Sequence, residues 1–406
     1  MEGIFGTSNS SPQRKLRVAV VTDYFPTSVQ PWAGHSAYQT LLQMTDLCDI
    51  EVFYPESTYP KMFTPRSRTY VSLDRSYEPV GIVAHYLPFQ AFPVVSRPLN
   101  GWLAARAVHK KMKAFQPDVV LSYIVYPDGF AAVRVAKALG VPAVVVAIGS
   151  DLNRISGSLV KQMTQYTLRK AAGVVTVSRD LLGTALRLGA AKGRSVAILN
   201  GCDTTKFRPR DRYAAREMLN IPLSQEMVLY VGRLDVRKGL LELIEAFADL
   251  QRRRSGAHCY IVGEGADRTL LNEAVALHHV QPHVTFIPSC TTEHVATWIA
   301  ACDLLTLPSY KEGCPNVILE ALCSGRPVVA TNVGGIPELM DDQSGRLVMP
   351  KQVGALSHAL EEVLVATWNA DALAHKHSRS WRDVGNDLFE VLQNVVQHNA
   401  TPATRS

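Results

Sequence analysis

Short runs of consecutive apolar and β-branched residues alternate along this chain with longer stretches whose apolar positions recur every three or four residues. In the first half the runs lie in "LRVAVVTDYF", "DIEVFYP", "IVAHYLPF", "PDVVLSYIV", "VPAVVVAIGSD", "AAGVVTVSRD" and "SVAILNG". Helical spacing is read over 36–48, 102–115 and 129–139. Strands that are apolar at nearly every position are expected where helices cover both faces of a parallel sheet, because neither face meets water. The rhythm restarts at "EMVLYVGRL" and continues through "AHCYIVGEG", "VTFIPS", "CDLLTLPS" and "PVVATNVGG". Helices are expected over 239–253, 266–279 and 293–301, after "KEGCPN", and from 336 onward. "SWRDVGNDLFEVLQNVVQ" (380–397) predicts a final amphipathic helix, and 1–12 and 399–406 read as disordered ends. The two α/β units join near "LNGCDTTKFRPRDRY", a stretch of turn formers and charge. The expected division is 13–200, 201–378 and a closing helix over 379–398, with a cleft between two doubly wound sheets. In such sheets ligands sit outside the carboxyl ends of the strands.

Composition narrows the class. With 406 residues, two domains are the prior, and 47% hydrophobic with 19% charged residues describes a globular enzyme-like chain rather than a disordered one. No stretch approaches the roughly 18 apolar residues that span a bilayer. The N-terminus lacks the features of a secretory signal, since its apolar run is short and broken by Arg17. Seven cysteines, an odd number without C-x-x-C pairs, fit reduced thiols in a cytosol and argue against a zinc site or a disulfide framework. Charge is uneven: residues 1–200 carry 22 Lys and Arg against 12 Asp and Glu, whereas 201–406 carry 20 against 24. A basic first half suits a membrane surface or an anionic substrate as well as it suits ordinary solvated faces.

The loops after the strands carry the candidate chemistry. Arg233 and Lys238, in "GRLDVRKG", fit either an exposed face or a phosphate clamp, in which a guanidinium grips two oxygens and an ammonium adds a movable point charge. In "KEGCPN" Pro315 suits the first position of a helix, where its missing N–H costs nothing. The free N–H groups of Asn316 and Val317 would then form an anion site. Glu312 lies just before that helix and Glu320 inside it, where the two hydroxyls of a ribose could use its oxygens. "GGIPE" (334–338) reads as a second such helix start.

Taken together, "GRLDVRKG", "VGEG", "EGCPNVILEALCSGRPVVAT" and "VGGIPEL" resemble the C-terminal domain of the family-four retaining glycosyltransferases of GT-B fold. "PWAGHSAY" resembles their glycine loop, "AIGSDLN" their second acceptor-side loop and "LNGCDTTKFRP" their interdomain segment, so the likeness covers roughly 16–397. The nearest flavour is that of bacterial exopolysaccharide and teichuronic-acid-type transferases. The resemblance implies two Rossmann-like domains facing across a cleft, acceptor side first and nucleotide-sugar side second, with the last helix crossing back to the first. It implies that Arg233 and Lys238 hold the diphosphate and that Glu312 contacts the donor sugar. It further implies that Asn316 and Val317 offer backbone N–H groups, that Glu320 binds the ribose and that Gly263 and Gly265 line the base pocket. Gly34 would let the first-domain loop approach the phosphates, and Asp151 would face the acceptor side. One departure stands out: many relatives have a histidine where this chain has Ile148, and His35 in the glycine loop is the residue considered as its substitute, beside the plainer reading of a solvent-exposed loop histidine.

The implied reaction is transfer of a glycosyl group from a nucleoside-diphosphate sugar to a hydroxyl with retained configuration, a hexosyltransferase of EC 2.4 type. The acceptor would be lipid-linked or anionic, and the enzyme would be cytoplasmic with peripheral contact at the inner membrane face. "FQAFPVVSRPLNGWLAARAVHKKMKAF" (89–115) motivates that contact. No nucleic-acid partner and no cofactor or metal is expected: the chain holds no Asp-x-Asp, and fixed cations would take magnesium's place on the diphosphate. The alternatives are a sugar-nucleotide epimerase or phosphorylase of the same fold and a non-catalytic two-lobed sugar-binding protein. A nicotinamide dehydrogenase fits poorly, because "GEG" keeps two glycines of the Gly-x-Gly-x-x-Gly fingerprint and Arg268 occupies the third place.

Overall fold

The computed structural model describes residues 14–59, 73–91, 98–155 and 157–400. The expected disordered ends at 1–12 and 401–406 lie outside these residues, as does 92–97 within the basic aromatic stretch. Residues 399 and 400 are instead the last of a helix, Trp381–Ala400.

Two parallel sheets organise the chain. The first is built from β1 (Leu16–Val21), β2 (Cys48–Thr58), β3 (Val83–Gln90), β4 (Val119–Tyr123), β5 (Ala143–Ala147), β6 (Gly173–Thr176) and β7 (Ser195–Ala197). Its order is β3-β2-β1-β4-β5-β6-β7. The second is built from β8 (Glu226–Val231), β9 (Ala257–Val262), β10 (Val284–Ile287), β11 (Leu304–Leu307), β12 (Val328–Thr331) and β13 (Gly345–Val348), in the order β10-β9-β8-β11-β12-β13. Every residue of β4, β5, β11 and β12 is buried, which accounts for the uninterrupted apolar runs. Each sheet winds outward both ways from its first strand, so the order reverses between β1 and β4 and between β8 and β11. Those are the places where the loops part and a ligand finds room. This is the GT-B architecture the resemblance implied.

The chain divides into two compact units, one of residues 1–146, 155–174 and 385–406 and the other of 147–154 and 175–384. The boundary differs from the cut at residue 200 read from the sequence: 147–154 and 175–200 group with the second unit. Gly149 lies against Gly313 there, and Asn200 is hydrogen-bonded to Cys314 and Asn316. From Gly385 onward the last helix belongs to the first unit, with Gly385 against Met44 and Val395 against Gly173.

One element expectation fails. The helix read from 336 onward is a single 3-10 turn, Ile336–Glu338, followed by β13 and then a helix over Val353–Val365. Asp341 ends the helical path: its carboxylate accepts from the backbone N–H of Gln343 and the hydroxyl of Ser344, an Asx-type turn that competes with helix continuation. The strand that follows, Gly345–Val348, opens on a glycine and an arginine and so shows no apolar run of the kind that marks the other strands. No helix among the described residues is long and apolar enough to cross a membrane.

Candidate functional site

In the second unit the loops after β8, β9, β11 and β12 stand at the carboxyl edge of the sheet. After β8 the chain enters a single 3-10 turn, Val236–Lys238. Asp235 caps it by accepting from the Arg237 N–H at 2.9 Å and also pairs with the Arg237 guanidinium, which holds the Asp235 carboxyl well below the usual range. Lys238 closes the turn, and its Nζ donates to Glu312 Oε1 at 2.6 Å. The sequence alone did not reveal this pair, because 74 residues separate its members. The Glu312 side chain is 11% exposed and that of Lys238 30%, so the pair is shielded yet reachable. Arg233 is exposed at the same edge. Arg233 and Glu312 both act electrostatically on the buried Tyr230 phenol, whose pKa burial raises, and this puts the two in one neighbourhood.

The loop after β11 delivers Glu312. Its Tyr310 N–H donates to the Arg237 carbonyl at 3.0 Å, and the Tyr310 hydroxyl donates to Glu242 Oε1 at 2.5 Å. Glu242 stands in the first turn of the helix Leu240–Arg253 that follows Lys238. Two tethers therefore register the Glu312 loop against the Lys238 turn. Glu242 and Tyr310 were missed in the sequence because neither belongs to a motif.

The helix Asn316–Cys323 begins as expected, with one correction: Pro315 is the cap residue, extended at φ −74° and ψ 116°, and Asn316 is the first helical residue. An X-Pro-Asn start leaves the cap with no side-chain acceptor, and none is present. Among the described residues no side chain caps this start, so the N–H groups of Asn316 and Val317 are left for another acceptor, and the helix dipole adds partial positive charge there. Glu320 lies one turn in. Its carboxylate makes no hydrogen bond among the described residues, and burial pushes its pKa up to about 7 although the side chain keeps a partly open face.

Gly263 (φ +141°) and Gly265 meet the loop after β8. A Cβ on either would stand 1.9 Å from the Gly232 carbonyl oxygen or 2.0 Å from that of Leu234. The close approach that demands glycine is thus to neighbouring backbone. Gly34 (φ +63°) lies in the first unit, where a Cβ would sit 2.2 Å from the Tyr24 carbonyl oxygen. Asp151 turns back on its own loop, Oδ1 accepting from the N–H groups of Ile148 and Gly149 at 3.2 and 2.9 Å. Its visible work is to shape the turn that presents Gly149 to Gly313. "GGIPE" does not act as a second open helix start. Glu338 caps another helix, Arg179–Arg187, its carboxylate accepting from the N–H groups of Arg179 at 2.8 and 2.9 Å and of Asp180 at 3.1 Å.

Comparison with known proteins finds glycosyltransferase domains in both halves of the chain. Residues 16–201 match the glycosyl transferase 4-like domain and residues 211–377 match the glycosyl transferases group 1 family. The chain is 29% identical over 395 residues to TuaC of Bacillus subtilis (strain 168), a glycosyltransferase assigned by name to teichuronic acid biosynthesis, covering 93% of this chain and 94% of that one. Among solved structures it is similar to Anabaena Alr3699/HepE in complex with UDP and glucose, with TM-score 0.72 and 17% identity over 94% of this chain and 100% of that one. It is also similar to sucrose-phosphate synthase of Thermosynechococcus elongatus, with TM-score 0.70 and 19% identity over 95% and 98% of the two chains. The chain thus carries a glycosyl transferase 4-like domain over 16–201 followed by a glycosyl transferases group 1 domain over 211–377.

Proposed function

We propose that this glycosyltransferase moves a sugar from a nucleoside-diphosphate sugar, with retained configuration, to a hydroxyl of a cell-surface polysaccharide or glycolipid precursor. The observation that carries this reading is the Lys238–Glu312 pair, 2.6 Å apart, at the same sheet edge as an uncapped helix start and an unpaired Glu320. TuaC's name and the UDP held by HepE support it by likeness.

As the bond between sugar and phosphate lengthens, charge gathers on the departing diphosphate. Arg233, Lys238 and the N–H groups of Asn316 and Val317 are donors fixed in advance, and such donors favour the transition state over the ground state. An ammonium has three N–H bonds, so Lys238 can keep Glu312 while reaching a phosphate oxygen. Glu312, held by Lys238, positions the sugar ring and steadies positive character on it without attacking it. The acceptor hydroxyl adds on the face the diphosphate leaves, and a phosphate oxygen takes the hydroxyl proton. No step in this scheme calls on a divalent ion. Glu320 accepts from the ribose hydroxyls.

Thermal-shift measurements with UDP-, GDP- and ADP-sugars at pH 6 and pH 8 test the reading, because a ligand that binds only the folded state raises its stability. One base is expected to stabilise strongly, and more so at pH 8. The Glu320 carboxyl, with its pKa near 7 in the empty site, must be ionised to accept best from hydroxyls, whereas the diphosphate of a nucleotide sugar does not titrate in this window. Glu320→Gln is expected to flatten that pH dependence. If no nucleotide sugar shifts the transition at either pH, the donor assignment is wrong.

The acceptor side rests on the helix Asn100–Phe115. Arg106, Lys110, Lys111 and Lys113 are exposed along it, opposite the buried Ala104, Val108 and Met112. Trp102, under the Arg134 guanidinium at 3.5 Å, is 44% exposed. We read this face as contacting anionic lipid around a lipid-linked acceptor. Flotation with phosphatidylglycerol liposomes is expected to carry the protein at low salt and to release it at about 0.5 M, where the Debye length falls to a few ångströms. Equal flotation with neutral and anionic liposomes would remove the membrane contact.

A further inference from the structure

We infer that Asn200 is a positioning residue for the diphosphate end of the donor, acting through the start of the helix Asn316–Cys323; the inference rests on the donor reading above. The stretch 199–202, taken from the sequence as a linker, is a strut. On one side the Cys202 N–H donates to the Arg379 carbonyl at 2.9 Å and the Arg379 Nε donates to the Leu199 carbonyl at 3.3 Å. Gly201 sits so near Ser380 that a Cβ would lie 2.4 Å from its carbonyl carbon and oxygen.

On the other side Asn200, only 8% exposed, spends its donors on the residues that lead into the helix. Its Nδ2 donates to the Cys314 carbonyl at 3.1 Å and to Asn316 Oδ1 at 2.8 Å, and its N–H meets Cys314 Sγ at 3.4 Å.

The contact with Asn316 decides what the helix start can do. Residues 314, 315, 317 and 318 are Cys, Pro, Val and Ile, so the Asn316 carboxamide is the one side-chain oxygen near these N–H groups within the segment 314–318. A side-chain oxygen there can fold back and satisfy backbone donors locally. Asn200 holds that oxygen away and leaves the N–H groups of Asn316 and Val317 for a ligand. It also fixes the Cys314 carbonyl, and with it the direction in which the first turn points.

An isosteric change separates positioning from bulk. Asn200→Asp keeps the volume but sets carboxylate oxygens against the Cys314 carbonyl and Asn316 Oδ1. Asn200→Ala removes the clamp, and Asn200→Ser withdraws the amide while keeping a buried hydroxyl if the first two variants fold poorly. The readout is the diphosphate increment: the ratio of affinities for a nucleoside diphosphate and its nucleoside (UDP and uridine, GDP and guanosine, ADP and adenosine), measured by calorimetry on the full chain. A purely structural loss lowers both members of a pair together and leaves the ratio unchanged. A misaimed helix start lowers the diphosphate alone, with an expected loss of about tenfold, as for one hydrogen bond to a charged group. If wild type shows an increment and the folded variants keep it, Asn200 does not position the diphosphate and the donor reading stands. If wild type binds no diphosphate more tightly than its nucleoside, the donor reading and this inference fall together.

Discussion

Lys238→Ala is expected to lower turnover about a hundred-fold or more, the loss common when one preorganised donor is taken from a site of developing charge. Two effects combine. The diphosphate loses a cation at the moment its charge grows, and Glu312, 11% exposed, loses its 2.6 Å partner and is left as a shielded carboxylate beside the sugar. The first effect lowers kcat more than it raises the donor KM, because the interaction strengthens in the transition state. The second makes the two positions interdependent. Adding Glu312→Gln to Lys238→Ala is expected to cost much less than it does in the wild-type background, since residues in direct contact do not contribute independently. Lys238→Arg keeps the charge but replaces a compact ammonium with a planar fork, and an intermediate rate is expected. Release of nucleoside diphosphate from the donor found by thermal shift measures all four. Near-normal turnover by Lys238→Ala would remove the clamp from the mechanism.

The largest expected loss of stability lies at the other edge of the second sheet. The Arg216 guanidinium is 1% exposed and makes three hydrogen bonds. Its Nε donates to the Ala301 carbonyl at 2.9 Å, one Nη to the Leu223 carbonyl at 2.7 Å and the other to Asp303 Oδ2 at 2.8 Å. The same Asp303 oxygen accepts from the Met227 N–H at 2.7 Å, so the Arg216–Asp303 pair ties the entry of β8, the entry of β11 and the end of the helix Thr292–Ala301. Arg216→Ala removes all three hydrogen bonds and leaves two carbonyls and part of a carboxylate without them, at an expected cost of about 3–5 kcal/mol. Arg212 also pairs with Asp303 but is 34% exposed, and its loss should cost about 1 kcal/mol or less. In urea followed by circular dichroism, Arg216→Ala is expected to bring the midpoint down by about 1 M or more. A midpoint within about 0.2 M of wild type would show that the network is dispensable.

The two predictions separate by what the sequence could show. Arg233, Lys238, Glu312 and Glu320 were legible because each belongs to a compact segment: a strand end followed by cations, or a Pro-Asn helix start flanked by carboxylates. Arg216 was not, for an arginine in "RYAAREM" has nothing in its neighbours to mark it as buried. The same holds for Asn200, hidden in a stretch that reads as a linker, and for Glu338, whose partners lie 158 and 159 residues away. Asp151 and the "GGIPE" segment were recognised as places where something happens. Their hydrogen bonds, to the Asp151 loop itself and to the start of the helix Arg179–Arg187, could not be read from spacing.

The chain by itself decided its strands other than β13, most of its helices, the parallel character of both sheets and the candidate loops at the strand ends. Those follow from short-range pattern: apolar runs too continuous for one wet face, glycines where backbones crowd, a proline before an uncapped helix. The tertiary structure alone decided which of those loops meet. Lys238 reaches Glu312 because β8 and β11 are neighbours in a sheet whose order reverses between them. Adjacency of that kind belongs to the packing of whole strands and leaves no trace in the residues on either side of a turn.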